Sequence, residues 1–205
     1  MGSVVGYWNG KGLGELIRLL LAYLEVDFID KRYKIGPALT DDSGAWLLDK
    51  YSLGLDFPNL PYYIDGDFKL THLGAIVEFI AEVHGMISGS KKQRAVLHML
   101  QCEVMGFRVP FITTVFDPGC EVFGSAFFEM LTRKLAYFGT YLDEKQWFTG
   151  EKKNYPDFAL CDLLIQMTKF EPMCLNGYPQ LRAYLSRFEN LPELKDYPAV
   201  DKSKA

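Results

Sequence analysis

Leu60 and Pro61 offer this chain's clearest means of holding a ligand, and the chemistry they offer is that of the backbone. They lie in Gly54–Asp67, GLDFPNLPYYIDGD, where Phe57 precedes Pro58 and a second proline follows at Pro61. A residue before proline is held extended. A proline at the start of a strand cannot donate to the ladder, so it marks an edge or a strand entrance. At such a place Leu60 can turn its N–H and C=O towards a peptide-like ligand. The other residues with chemical potential are less committed by their surroundings. Tyr7, in the β-prone run Val4–Trp8, reads on its own as a strand tyrosine packing its ring. His72 is a lone histidine of the kind that is usually solvated. Cys102, Cys120, Cys161 and Cys174 show neither C-x-x-C nor Cys/His ligand spacing. They read as free thiols of a reducing compartment, with no metal site.

The elements that must position these residues follow from periodicity. Val4–Trp8 ends at Asn9-Gly10, and Leu13, Leu16, Ile17, Leu20, Leu21 and Leu24 then mark one face of an amphipathic helix. Asp27–Tyr33 suits a second strand, giving a βαβ crossover that is right-handed by strong preference. Ala45–Tyr51 forms a short helix carrying Trp46. Tyr62–Ile64 and Phe68–Thr71 flank Asp65-Gly66, the signal for a two-residue hairpin turn. A third helix presents Leu73, Ile76, Val77, Ile80 and Val83 on one face. Residues 1–84 thus form an α/β domain, 85–90 (GMISGS) a linker, and 91–205 an all-helical domain in which strand signals disappear. Lys91–Phe116 and Phe123–Leu142 are long helical patterns, and Pro110 should kink or shorten the first. Asn154-Tyr155-Pro156-Asp157 begins another helix with a capping box and a proline in its first turn. Its buried stripe is Phe158, Cys161, Leu164, Ile165 and Thr168. Pro179–Phe188 and Pro192–Tyr197 close the chain.

Composition narrows the class of function. Of 205 residues, 49% are apolar and 23% charged, with a formal charge of −4. That balance suits a globular domain pair and supplies no basic field for nucleic acid or an anionic membrane. No apolar run reaches the roughly 18 residues of a membrane span, and the start lacks a signal-peptide pattern. A cytoplasmic location is the expectation.

Five motifs in order, GYW, LIRLLLAYLEV, LGLDFPNLPYYIDGD, WFTG with YPDF, and EPMCL, give the chain a resemblance to the cytosolic glutathione transferases. The resemblance is to the mu class, of which this is a divergent member, and it spans nearly the whole length. It implies a thioredoxin-like N-terminal domain followed by an all-α domain. It implies transfer of glutathione, as substrate rather than cofactor, to hydrophobic electrophiles in a cleft between the domains. In the family the proline matching Pro61 is cis, and the residue before it binds the cysteinyl backbone of glutathione like an added strand. Tyr7 matches the tyrosine that donates to the glutathione sulfur and Trp8 its neighbour. Trp46 and Lys50 match contacts to the glycine end, and Asn59, Leu60 and Pro61 match the hairpin contacts. Met105, Val109, Ile112 and Phe116 share a helix side that would form the wall for the second substrate. The same spacing is that of plain helix core.

Several positions depart from the mu pattern. His72-Leu73 stands where the class has Gln-Ser at the start of the third helix, so a hydroxyl for the γ-glutamyl carboxylate is missing. Ser43 replaces an arginine and Gly106 an aspartate that the partner subunit contributes. Phe116 stands for a tyrosine that assists the second-substrate step. Three lost polar contacts at about 1 kcal/mol each would weaken glutathione binding a hundredfold or more. Two readings follow: a transferase with weakened glutathione affinity, or a binding or structural protein on the same fold. The resemblance also implies a homodimer in which Phe57 fills an apolar pocket of its partner. Glu78, where some members place arginine near the two-fold axis, opposes it.

Overall fold

The computed structural model describes residues 2–35, 44–115 and 125–197. Ser43, Phe116 and Cys120 therefore lie outside the described residues. The chain divides into two compact units, Met1–Gly85 and Met86–Ala205.

The first unit runs β1 (Ser3–Trp8), α1 (Gly14–Tyr23), β2 (Phe28–Tyr33), α2 (Ala45–Lys50), β3 (Tyr62–Asp65), β4 (Phe68–Thr71) and α3 (Leu73–Val83). Its sheet has the order β2-β1-β3-β4, with β1 parallel to β2 and the other pairs antiparallel. The crossover through α1 makes the parallel pair, and the β3–β4 hairpin supplies the antiparallel half. The hairpin loop is Gly66-Asp67, because Asp65 still pairs with Phe68. This is one residue later than the sequence suggests, and it puts the positive φ of the loop on Gly66, the residue that adopts it without steric cost. Leu16, Ile17, Leu20 and Leu21 of α1 and Ile76, Val77 and Ile80 of α3 are fully buried, and α1 and α3 pack together. Val83, expected on the buried face, is exposed at the end of α3. Ile29 is likewise exposed, because β2 is a sheet edge.

The second unit is helical: α4 (Lys91–Val115), α5 (Ser125–Leu142), α6 (Tyr155–Phe170) and α7 (Pro179–Glu189), then a single 3₁₀ turn at Pro192–Leu194. Met86 is tied to this unit through its carbonyl, which accepts from Asn154 Nδ2 at 2.8 Å. α4 packs on α6, and α7 packs on both α5 and α6. α6 begins with the expected capping box, Asn154 with Asp157. Rather than one stripe, however, every residue from Tyr155 to Ile165 is buried, so α6 is the axis of the unit. Asp157 serves more than the cap. Its carboxylate accepts from the amides of Phe148 (2.6 Å) and Asn154 (3.0 Å), from the Tyr184 hydroxyl (2.9 Å) and from the Thr149 hydroxyl.

Pro110 does not end α4, which continues to Val115. Pro110 and Gly106, one turn earlier, both face solvent, so the carbonyl that loses its amide partner faces water rather than core. By length and composition α4 is long and apolar enough to cross a membrane, which the sequence reading did not anticipate. Its fully buried Arg108 pairs with Asp162 of α6 at 2.5 Å, the arrangement of a core helix within this unit.

Candidate functional site

β1 ends with Tyr7 turned into the first unit, only 9% exposed. The loop that follows folds back over it. The amide of Leu13 donates to the Tyr7 hydroxyl oxygen at 3.0 Å. Gly12, at φ +40°, makes this approach possible, since a Cβ there would stand 2.6 Å from that hydroxyl. Arg18 of α1 holds the loop from beneath: its Nη1 donates to the Gly10 carbonyl at 2.9 Å and its Nε to Asp30 at 3.0 Å. The Arg18 guanidinium also lies 6.0 Å from the Tyr7 ring centre. A phenol oxygen that accepts from an amide keeps its own O–H as a donor group, here held at a strand end.

Tyr7 belongs to a buried cluster with Tyr33, Trp46, Leu55, Leu60 and Tyr62, against which Trp8 and Leu13 pack half-buried. The structure therefore brings Tyr7, Trp8, Trp46 and Leu60 together. Lys50, half-buried at the end of α2, has its ammonium 5.7 Å from the Tyr51 ring. The Leu60–Pro61 bond is cis, as the resemblance implied. The Leu60 amide donates to the side-chain oxygen of exposed Asn59 at 2.8 Å. His72 is exposed at φ +67° and caps α3 without a side-chain hydrogen bond. Leu73, the first residue of α3, is buried, 4% exposed.

In the second unit Met105 and Ile112 are half-buried and Val109 is 47% exposed. The core face of α4 is instead Leu97, Leu100, Val104, Phe107, Arg108 and Phe111. None of the three described wall residues is fully buried, and they share an apolar, partly open face beside exposed Gly106. Phe57 is 72% exposed and Glu78 half-buried. Cys102 is exposed and Cys161 buried; burial pushes the Cys161 thiol well up. Among the described residues no group of His, Cys, Asp or Glu is placed to hold a metal ion.

Sequence reasoning missed one constellation. The Tyr33 hydroxyl donates to Asp49 Oδ2 at 2.8 Å and lies 2.8 Å from the Tyr62 hydroxyl, while Lys31 pairs with the same carboxylate at 3.1 Å. A carboxylate has no proton to give, so Tyr33 spends its proton on Asp49, and Tyr62 donates to Tyr33. Burial, reinforced by these hydrogen bonds, pushes the Tyr33 phenol far up. The hydrogen bond from Tyr33, then Lys31, holds the Asp49 carboxyl below the usual range. No local motif announces partners drawn from β2, α2 and β3.

Residues 3–82 match the family described as glutathione S-transferase, N-terminal domain, and residues 108–201 the glutathione S-transferase, C-terminal domain. The chain is 37% identical over 197 residues to glutathione S-transferase Mu 2 of Mus musculus, covering 96% of this chain and 90% of that protein. Identity is 38% to glutathione S-transferase Mu 1 of Rattus norvegicus, with the same coverage. Among solved structures, the Pi-class glutathione S-transferase of Onchocerca volvulus superimposes with a TM-score of 0.84 at 26% identity, covering 96% of this chain and 92% of that one. The glutathione S-transferase Blo t 8 gives 0.77 at 32% identity, covering 98% and 94%.

Proposed function

The chain belongs to the glutathione S-transferase family, and from that premise we propose that Tyr7 is the residue that activates the glutathione thiol. The protein is a glutathione transferase with Mu-class relatives; its reaction joins the cysteinyl sulfur of glutathione to an electrophile. A thiol with a pKa near 8.5 is mostly protonated at neutral pH, so a donor aimed at sulfur stabilises the reactive thiolate. The observation that carries this reading is the Leu13 amide on the Tyr7 oxygen, which positions the hydroxyl within the cluster that also holds Trp46 and Leu60.

The remaining roles follow residue by residue. Trp8 supports Tyr7. Trp46 and Lys50 receive the glycine end, where the lysine charge meets the carboxylate. Asn59, Leu60 and Pro61 present the backbone to the cysteinyl residue, and for this the Asn59 side chain must release the Leu60 amide it now holds. His72 and Leu73 stand at the helix start that faces the γ-glutamyl group, without the serine hydroxyl. Each of these lowers affinity, so glutathione binds more weakly than in a Mu-class site with its serine. Met105, Val109 and Ile112 offer an apolar surface to a hydrophobic electrophile. The protein works as a cytoplasmic homodimer keyed by Phe57, in the detoxification of such electrophiles, with residues 1–84 as glutathione-binding domain and 91–205 as helical domain.

Calorimetric titration with glutathione, together with conjugation of an aryl halide, tests the reading. A saturable heat with one site per chain and turnover that requires both reactants is the expected result. An absence of both at millimolar glutathione would overturn it.

A further inference from the structure

We propose that Tyr33 is a positioning residue for glutathione binding, its hydroxyl pinning α2 to β3. The inference rests on the reading that Trp46 and Lys50 of α2 and Leu60 and Pro61 before β3 hold the tripeptide. α2 has six residues and a single buried one, Trp46. A helix of that length does not persist on its own propensity, so tertiary attachments must hold it. Its hydrophobic residues Leu47 and Leu48, with Tyr51 just beyond, are exposed and so contribute little burial.

Tyr33 is common to two of the attachments that α2 makes. The Trp46 ring meets Tyr33 edge-on at 5.3 Å and stacks on Tyr62 at 6.1 Å. One turn later Asp49 accepts from the Tyr33 hydroxyl, which in turn accepts from the Tyr62 hydroxyl. Ring contacts prefer particular tilts and offsets but tie no single pair of atoms together. Two hydrogen bonds of 2.8 Å through one oxygen do. The chain Asp49–Tyr33–Tyr62 therefore sets the register of α2 against the residue that directly follows Pro61. The Lys31 pair with Asp49 is half-exposed and adds little geometric constraint.

Tyr33→Phe keeps both ring contacts and deletes both hydrogen bonds. Hydrogen–deuterium exchange of residues 45–50 should quicken about tenfold, while β1 and β3 stay protected. The dissociation constant for glutathione should rise about five- to tenfold, with turnover at saturating glutathione within about twofold of the parent. Asp49→Ala, a surface change that removes the α2 end of the chain, should reproduce both effects. Unchanged exchange in both variants overturns the pin, and faster exchange with unchanged affinity overturns its role in binding. A parent that binds no glutathione overturns the proposed function and this inference with it; a parent and variants that bind equally overturn the inference alone.

Discussion

The amide of Leu13 donates to the hydroxyl oxygen of Tyr7 across a distance of 3.0 Å. The contact exists because Gly12 takes a backbone conformation, φ +40°, that leaves no room for a side chain against that hydroxyl. It orients the phenol, whose O–H is the group that could donate to charge developing on a thiol sulfur.

Tyr7→Phe should therefore lower turnover of an aryl halide roughly 100-fold, the scale of losing one preorganised donor to a developing anion. Glutathione affinity should change little, because the hydroxyl serves the thiolate rather than docking. Gly12→Ala should lower turnover in the same direction by displacing the hydroxyl. Steady-state kinetics beside calorimetry checks both, and a Tyr7→Phe enzyme as active as its parent would remove Tyr7 from the mechanism.

Asp162→Ala should cost about 3–5 kcal/mol of unfolding free energy, because it removes the carboxylate paired with a fully buried guanidinium. Gln166, which donates to both Asp162 oxygens at 3.2 Å, loses its partner as well. Replacing both members of the ion pair with apolar residues, Arg108→Met with Asp162→Leu, should recover most of the loss. Urea denaturation of the single and double variants gives the comparison. A single variant as stable as the parent would show that the pair is not a structural element of the second unit.

How much of this was legible in the sequence depends on the distance between partners. The crossover, the hairpin and the Asn154–Asp157 cap are local patterns, and each is found within a residue or two of where periodicity and turn chemistry put it. The faces of α4 were not separable. Met105, Val109 and Ile112 repeat with the same helical spacing as Val104, Phe107 and Phe111, and both rows are apolar. Only packing on α6 decides which is inside. The Tyr33–Asp49–Tyr62 chain and the Arg108–Asp162 pair join residues from different elements, for which a single sequence carries no signal. The grip on Tyr7 comes from a backbone amide, which every residue but proline possesses; glycine at position 12 was its one visible trace.

Restoring His72→Gln with Leu73→Ser should tighten glutathione binding about tenfold, by returning a hydroxyl to the start of α3. The same change should lower stability, since Leu73 is buried and removing it forfeits about 1.5–3 kcal/mol of apolar burial. The two effects fall on different measurements, calorimetric affinity and thermal midpoint, and are expected to have opposite signs. An unchanged affinity would mean that the γ-glutamyl group is not held at this helix start.

Phe57 protrudes from a loop between exposed Asp56 and half-buried Pro58, with 72% of its surface in water within a single chain. Leaving a phenylalanine there forgoes roughly 1.5–3 kcal/mol that burial would supply. An apolar pocket on a second copy would recover it, and two symmetric keys would double the gain. Against this stands Glu78 on α3: two such carboxylates brought near a two-fold axis would repel. The expected outcome is a homodimer at micromolar concentration that Phe57→Ala converts to monomer without lowering the thermal midpoint of the isolated chain. Sedimentation velocity of parent and variant decides it. A parent that is already monomeric, or a variant as dimeric as its parent, would show that the exposed ring is not the key.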